Sequence, residues 1–129
     1  MSKVVVTFGS FDCFHYGHYF ILKRASMLGD IIKVGLSSDA LHFSKKNREV
    51  VCPFDVRKQI IEDFNFIDSV FSEDCMEKKR QYLIKHKADV LVMGDDWLGK
   101  FDEFLDICEV VYLPRTEDIS TSIILESRV

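Results

Sequence analysis

The stretch KVVVTFGSFDCFHYGH, from Lys3 to His18, decides how the rest of the chain is read. Its first half is a short β-branched apolar run, residues 3–8, that stops at Gly9. Its second half sets His15 and His18 three positions apart with Gly17 between them. The pattern predicts a buried strand, a loop, and a helix beginning near Tyr16 and closing before Gly29. Such a loop offers unpaired backbone N–H groups and the positive end of a helix, and both attract phosphate. Positions three apart on a helix share a face, so the ring N–H groups of His15 and His18 can converge on one point, with Gly17 leaving that face open. Gly9 lets the backbone approach a ligand closely. Two other readings of the residues stand beside this one: ordinary satisfied histidines, or a soft-metal set of Cys13, His15 and His18 that lacks a fourth partner nearby. The glycine spacing is not the G-x-G-x-x-G dinucleotide fingerprint.

Working outward, strand-like and helical runs alternate. Residues 31–36, 67–71, 90–93 and 110–113 read as strands, and residues 55–64, 77–86 and a short turn near 101–107 read as helices. With the first strand this makes five, so the expected fold class is α/β: a single Rossmann-like, doubly wound domain over residues 1–129, with a five-stranded parallel sheet and helices on both faces. Ligands of such sheets sit beyond the carboxyl ends of the strands, where strand order reverses. Residues 37–52, SSDALHFSKKNREVVC, do not fit the alternation. They read as a long connection with Lys45, Lys46 and Arg48 in it, either a solvated loop or a lid that brings cations to an anionic substrate.

Composition narrows the function. The chain has 129 residues, 47% hydrophobic and 29% charged, with two prolines, which suits one globular domain without linker or repeat. Seventeen basic against twenty-one acidic residues leave a net charge of -4, which disfavours a general nucleic-acid surface. No apolar run approaches the roughly 20 residues needed to span a bilayer, so no membrane insertion is expected. The four cysteines are widely spaced without a C-x-x-C pair, and no leader-like segment opens the chain, so reduced thiols in the cytoplasm are expected.

Gly9-Ser10-Phe11-Asp12 followed by His15-Tyr16-Gly17-His18 resembles the G-[ST]-F-D…H-x-G-H signature of the cytidylyltransferase branch of the nucleotidyltransferases. Arg115 to Ser122, RTEDISTS, resembles that branch's R-T-x-G-I-S-T-T block. Between them, Val92-Met93-Gly94-Asp95-Asp96-Trp97 with Gly99-Lys100-Phe101-Asp102 is similar to the enzymes of that branch that act on glycerol 3-phosphate. The resemblance implies transfer of CMP from CTP to a small phosphorylated alcohol, with release of pyrophosphate and no covalent enzyme intermediate. It implies a catalytic set of His15, His18, Lys45 and Arg115. Nucleotide contacts would come from Gly9, Ser10, Phe11, Asp12, Gly17, Gly94, Asp95, Asp96, Arg115, Thr116, Ser120 and Thr121, and acceptor contacts from Lys45, Lys46, Arg48 and Arg57. Mg2+ is the implied cofactor, with Asp12 orienting the loop or assisting the ion, and no dedicated metal ligand is assigned. A homodimer is implied as well.

Ser120 also sits where an N-cap belongs, before Ile123-Ile124-Leu125, so hydroxyls at a positive helix end are expected there on physical grounds. Trp97 reads as core rather than as a base-stacking residue. The chain departs from the pattern at Asp118, where glycine is usual for the branch, and at Asn65, where an arginine is expected. These departures leave open a different phospho-polyol, a phosphonate, or a non-catalytic CTP-binding regulatory module. An ATP-using relative is disfavoured by the RTEDIST block.

Overall fold

Apolar side chains on both faces of consecutive extended segments dictate a sheet buried from two sides, as parallel sheets are. The computed structural model describes residues 2–114. Five strands, β1 (Val4–Gly9), β2 (Ile31–Ser37), β3 (Ser69–Glu73), β4 (Val90–Gly94) and β5 (Glu109–Leu113), pair in parallel in the order β3-β2-β1-β4-β5. The α/β class and the five parallel strands expected from the sequence are what the structure contains.

Four α-helices connect the strands: α1 (Tyr16–Ser26), α2 (Asp39–Lys46), α3 (Phe54–Glu62) and α4 (Lys79–Lys85). On one face, Val6 and Phe8 of β1 and Leu91 and Met93 of β4 pack with Leu83 of α4 and with Phe101 and Phe104 of the 3-10 segment that follows β4. On the other, Val5, Ile32, Val90 and Val92 meet Ala25 of α1, while Val34 and Leu36 meet Leu22 of α1 and Ile61 of α3. Each fully buried aliphatic side chain contributes about 1.5–3 kcal/mol, so β1, bordered on both sides by β2 and β4, anchors the structure.

The two ends of the strands are finished differently. At the strand starts, aspartates close the backbone: Asp30 accepts from Lys3 N at 2.8 Å, Asp89 from Val4 N at 2.8 Å and Asp68 from Ile32 N at 2.6 Å. At the strand ends, Gly9, Glu73 and Gly94 open into a cleft instead.

Three elements differ from expectation. Residues 37–52 are not one long connection, because α2 occupies half of them. Ser38 caps it by accepting from Leu41 N at 3.1 Å, and Asn47 ends it in the left-handed conformation, φ 56°. β3 lies two residues beyond the expected 67–71, since Ile67 packs beneath the helices rather than in the ladder, and the shift carries Glu73 to the strand end. The turn after β4 is 3-10 rather than α, over Asp102–Asp106.

Candidate active site

β1 lies where strand order reverses, with β2 on one side and β4 on the other, so the loops after β1 and β4 diverge and leave a crevice. A cleft of about 920 Å³ occupies that place. Gly9, Ser10, Phe11, Asp12, His15, Gly17 and His18 line it from β1 and its loop, Gly94 and Asp96 from the end of β4, and Lys45, Lys46 and Arg48 from α2 and beyond.

The histidine pair is built by the helix start itself. His15 is the N-cap of α1, and its Nδ1 accepts from Gly17 N at 3.0 Å; His18 Nδ1 accepts in return from His15 N at 3.3 Å. This is the reciprocal capping box, made with imidazoles in place of a hydroxyl and a carboxylate. Accepting at Nδ1 leaves the ring proton on Nε2, so the box fixes the tautomer of both side chains. The rings stack with centroids 3.9 Å apart and 22° between planes. Burial, and then the neighbouring His15, push His18 down to about 4, so at neutral pH it is an uncharged N–H donor. Gly17 is required by this arrangement, because a Cβ there would stand 2.7 Å from His15 Cε1.

Gly9, on the cleft lining, has a packing role as well. A Cβ at Gly9 would meet the Phe11 ring at 2.9 Å, so the glycine makes room for an aromatic side chain. Phe11, buried at φ 49°, sets its ring edge-on to His18 with centroids 5.4 Å apart. Asp12 is an orienting residue: its carboxylate accepts from Val51 N at 2.9 Å and Cys52 N at 2.8 Å. Partial burial would raise Asp12, but those two amides outweigh it and hold the carboxyl below its usual range.

Across the cleft, Lys45 donates to Ser37 Oγ at 2.7 Å, and burial, reinforced by nearby cations, lowers it to about 8. Lys46 and Arg48 are exposed at the rim. Arg57 corrects the sequence reading. It is 1% exposed, does not line the cleft, and donates to Cys52 O at 2.9 Å, Ser10 O at 2.8 Å, Ser37 O at 2.9 Å and Asp39 Oδ1 at 2.5 Å. Such a guanidinium ties three segments together rather than meeting an acceptor. Asp95 is exposed and also lies outside the cleft lining, while its neighbour Asp96 lines it. Arg115, Thr116, Asp118, Ser120 and Thr121 lie outside the described residues.

Several cleft residues carried no signal in the sequence. His42 on α2 is 2% exposed and bonded at Nδ1 to Ser10 Oγ at 2.8 Å, whereas its buried Nε2 has no hydrogen-bond partner among the described residues. Burial, aided by Arg57, Lys45 and Arg48, lowers its pKa despite the Asp12 charge. Lys79 and Glu73 form a buried ion pair at the end of β3, with Lys79 Nζ 4.6 Å from the Phe8 ring centroid and Glu73 Oε1 unpartnered among the described residues. Trp97, read as core, is both: it packs on Phe101 and lines the cleft. Only the β3 shift could have revealed Glu73, and only the α2 periodicity His42.

Mg2+ prefers oxygen ligands and usually binds through one or two carboxylates together with substrate phosphates and water. Asp96 and Asp12 are the carboxylates on the cleft wall fit for that, Asp12 with both oxygens already accepting amides.

Parallel α/β topology, a cleft at the switch point and paired imidazole donors over a helix start define a nucleotidyltransferase-type domain. The chain belongs to the cytidylyltransferase-like family, whose profile matches residues 6–127. It is 48% identical over 124 residues to the glycerol-3-phosphate cytidylyltransferase of Bacillus subtilis (strain 168), covering 96% of this chain and 95% of the relative. It is 41% identical over 120 residues to the enzyme of the same name from Staphylococcus aureus (strain NCTC 8325 / PS 47), covering 93% and 90%. A crystal structure of the lipopolysaccharide core biosynthesis protein from Thermoplasma volcanium GSS1 has the same fold, with a TM-score of 0.75 at 19% identity over 89% of this chain and 98% of that one.

Proposed function

We propose that the protein transfers CMP from CTP to glycerol 3-phosphate. An acceptor phosphate oxygen attacks the α-phosphorus of CTP, the bond to the bridging oxygen of the β-phosphate breaks, and pyrophosphate leaves with that electron pair. The observation that carries the reading is the His15–His18 capping box, which sets two imidazoles on the cleft wall with Nδ1 accepting from the backbone and with His18 uncharged at neutral pH. Donors fixed before the reaction stabilise negative charge growing on the α-phosphate and the leaving group.

The acceptor's phosphate meets the opposite wall, where Lys45, Lys46 and Arg48 supply positive charge. Its hydroxyls fall to His42, which lines the cleft and whose Nε2 has no partner among the described residues. Mg2+, when bound with CTP, supplies charge neutralisation for the triphosphate, and Asp96 and Asp12 are the side chains that would hold it. Trp97 offers an aromatic face to the cytosine end.

We place the enzyme in the cytoplasm as a homodimer. The unpaired thiols of Cys13, Cys52, Cys75 and Cys108 suit a reducing compartment, and no described helix is long and apolar enough to cross a membrane. Tyr16, Phe43 and Val56 leave apolar surface for a second copy. Mass spectrometry of products formed from CTP and a panel of phosphorylated alcohols tests the reading. CDP-glycerol with pyrophosphate is expected; no CDP-alcohol from any acceptor would refute catalysis, and a product from ATP alone would refute the cytidine assignment.

A further inference from the structure

Cys13 and Cys52 take no part in the transfer described above, yet the fold brings them together from 39 residues apart in sequence. Cys13 is on the loop after β1 and Cys52 on the segment between α2 and α3. Their Sγ atoms and a carboxylate oxygen of Asp12 all lie within 4.8 Å of one another. Among the described residues this is the group of side chains spaced to hold a metal ion, and it is not the Cys13, His15 and His18 set that the sequence offers. The histidines are excluded from that set at Nδ1, which both commit to backbone amides.

Geometry separates the two things a pair of thiols can do. A disulfide requires sulfurs about 2.05 Å apart. A tetrahedral centre with metal–sulfur bonds of about 2.3 Å keeps them about 3.8 Å apart, inside the 4.8 Å within which the two sulfurs and the Asp12 oxygen lie. The carboxylate decides further, since an oxygen beside two sulfurs completes a ligand set and contributes nothing to a disulfide. Asp12 is held in place by the amides of Val51 and Cys52, the outer-shell support that orients a metal-binding carboxylate. Two sulfurs and one oxygen select a borderline-soft ion over Mg2+ or Ca2+. Cys13 is exposed, so the group is open to ions from solvent and leaves a fourth position for water.

We propose that Asp12, Cys13 and Cys52 form a binding site for a soft divalent cation of the zinc class. On binding, the two thiols release their protons and the cation bonds both sulfurs and the Asp12 carboxylate, with no change of oxidation state. The ion would staple the segment between α2 and α3 onto the loop that enters α1, beside the nucleotide cleft, where it would compete with Mg2+ for the Asp12 carboxylate.

The test uses full-length protein, reduced and stripped of metal, titrated with Zn2+ against a chromophoric chelator and with Co2+ to read thiolate-to-metal absorbance. One ion per chain and a sulfur charge-transfer band are expected. Cys13→Ser with Cys52→Ser should weaken Zn2+ by about 100-fold or more and abolish the band, while Cys75→Ser with Cys108→Ser should retain both. Circular dichroism checks folding, and Cys52→Ser alone, which should also abolish the band, decides if the double variant fails to fold. Absence of the band in the wild type, or equal Zn2+ affinity in the Cys13/Cys52 variants, would overturn the proposal. So would a reduced protein that takes no Zn2+ yet closes a Cys13–Cys52 disulfide with a mild disulfide oxidant, which would make the pair a redox site instead.

Discussion

Residues 9–18 carry their own scaffold. The capping box, the Phe11 ring between Gly9 and His18 and the backbone of α1 set both imidazoles with contacts no more than seven residues apart. Residues 37–53, across the cleft, do not. There Arg57, from the following helix, reaches back to Ser10, Ser37, Asp39 and Cys52, and Asp12 pins residues 51 and 52. One wall is therefore encoded locally and the other is assembled by long-range bonds. Damage to the first should remove chemistry and leave the fold, and damage to the second should do the reverse.

The largest effect is expected from His18→Ala. Loss of a fixed transition-state donor should lower kcat on the order of 10²–10³-fold, with KM for glycerol 3-phosphate little changed. A wild-type kcat would remove the local wall from the chemistry. Arg57→Ala should strip three backbone carbonyls of their donor and lower stability on the order of 3 kcal/mol, read by urea denaturation. An unchanged midpoint would show that the far wall is held by something else.

Lys45→Met should raise the acceptor KM by about 10–100-fold and leave the CTP KM alone, as for a charged hydrogen bond to substrate. The same residue sets a pH dependence. Lys45 is protonated below about 8, so the acceptor KM should be flat up to there and climb at higher pH. For stability the sign reverses. The unfolded chain holds this proton up to the ordinary value of 10.5 and the folded chain only to about 8, so between them the unfolded state binds more protons and Lys45 makes stability rise with pH. A titration of thermal midpoint against pH, wild type minus Lys45→Met, reads this directly; a difference that falls across the window would contradict it. The smallest effect belongs to His42→Leu, which should raise the acceptor KM by about 3–10-fold if its Nε2 meets an acceptor hydroxyl, and equally so with deoxy acceptors if it does not.

The same contrast governs what could be read in advance. The strand, loop and helix from Val4 to Ser26 were legible because each residue's role depends on near neighbours: β-branched residues in the strand, glycines where side chains crowd, a cap at the helix start. Helix α2 was missed although Ser38 and Asn47 mark its ends, because the basic cluster from Lys45 to Arg48 reads as polar surface. Arg57 looked like an acceptor ligand because a sequence shows a cation's charge and not its partners, four of which come from segments up to 47 residues away. Glu73 and Lys79 were invisible for a related reason, since a buried ion pair at a strand end has no periodicity to betray it.

The central claim is that both imidazoles meet the triphosphate of CTP through Nε2–H while their Nδ1 atoms stay on the helix backbone. Long-range 1H–15N spectra of histidine-labelled protein at neutral pH, with and without CTP, test it at the atoms concerned. The Nε2–H tautomer is expected for His15 and His18 in the free protein, with a shift of both Nε2 resonances on adding CTP. An Nδ1–H tautomer at either residue, or two Nε2 signals that ignore saturating CTP, would contradict it.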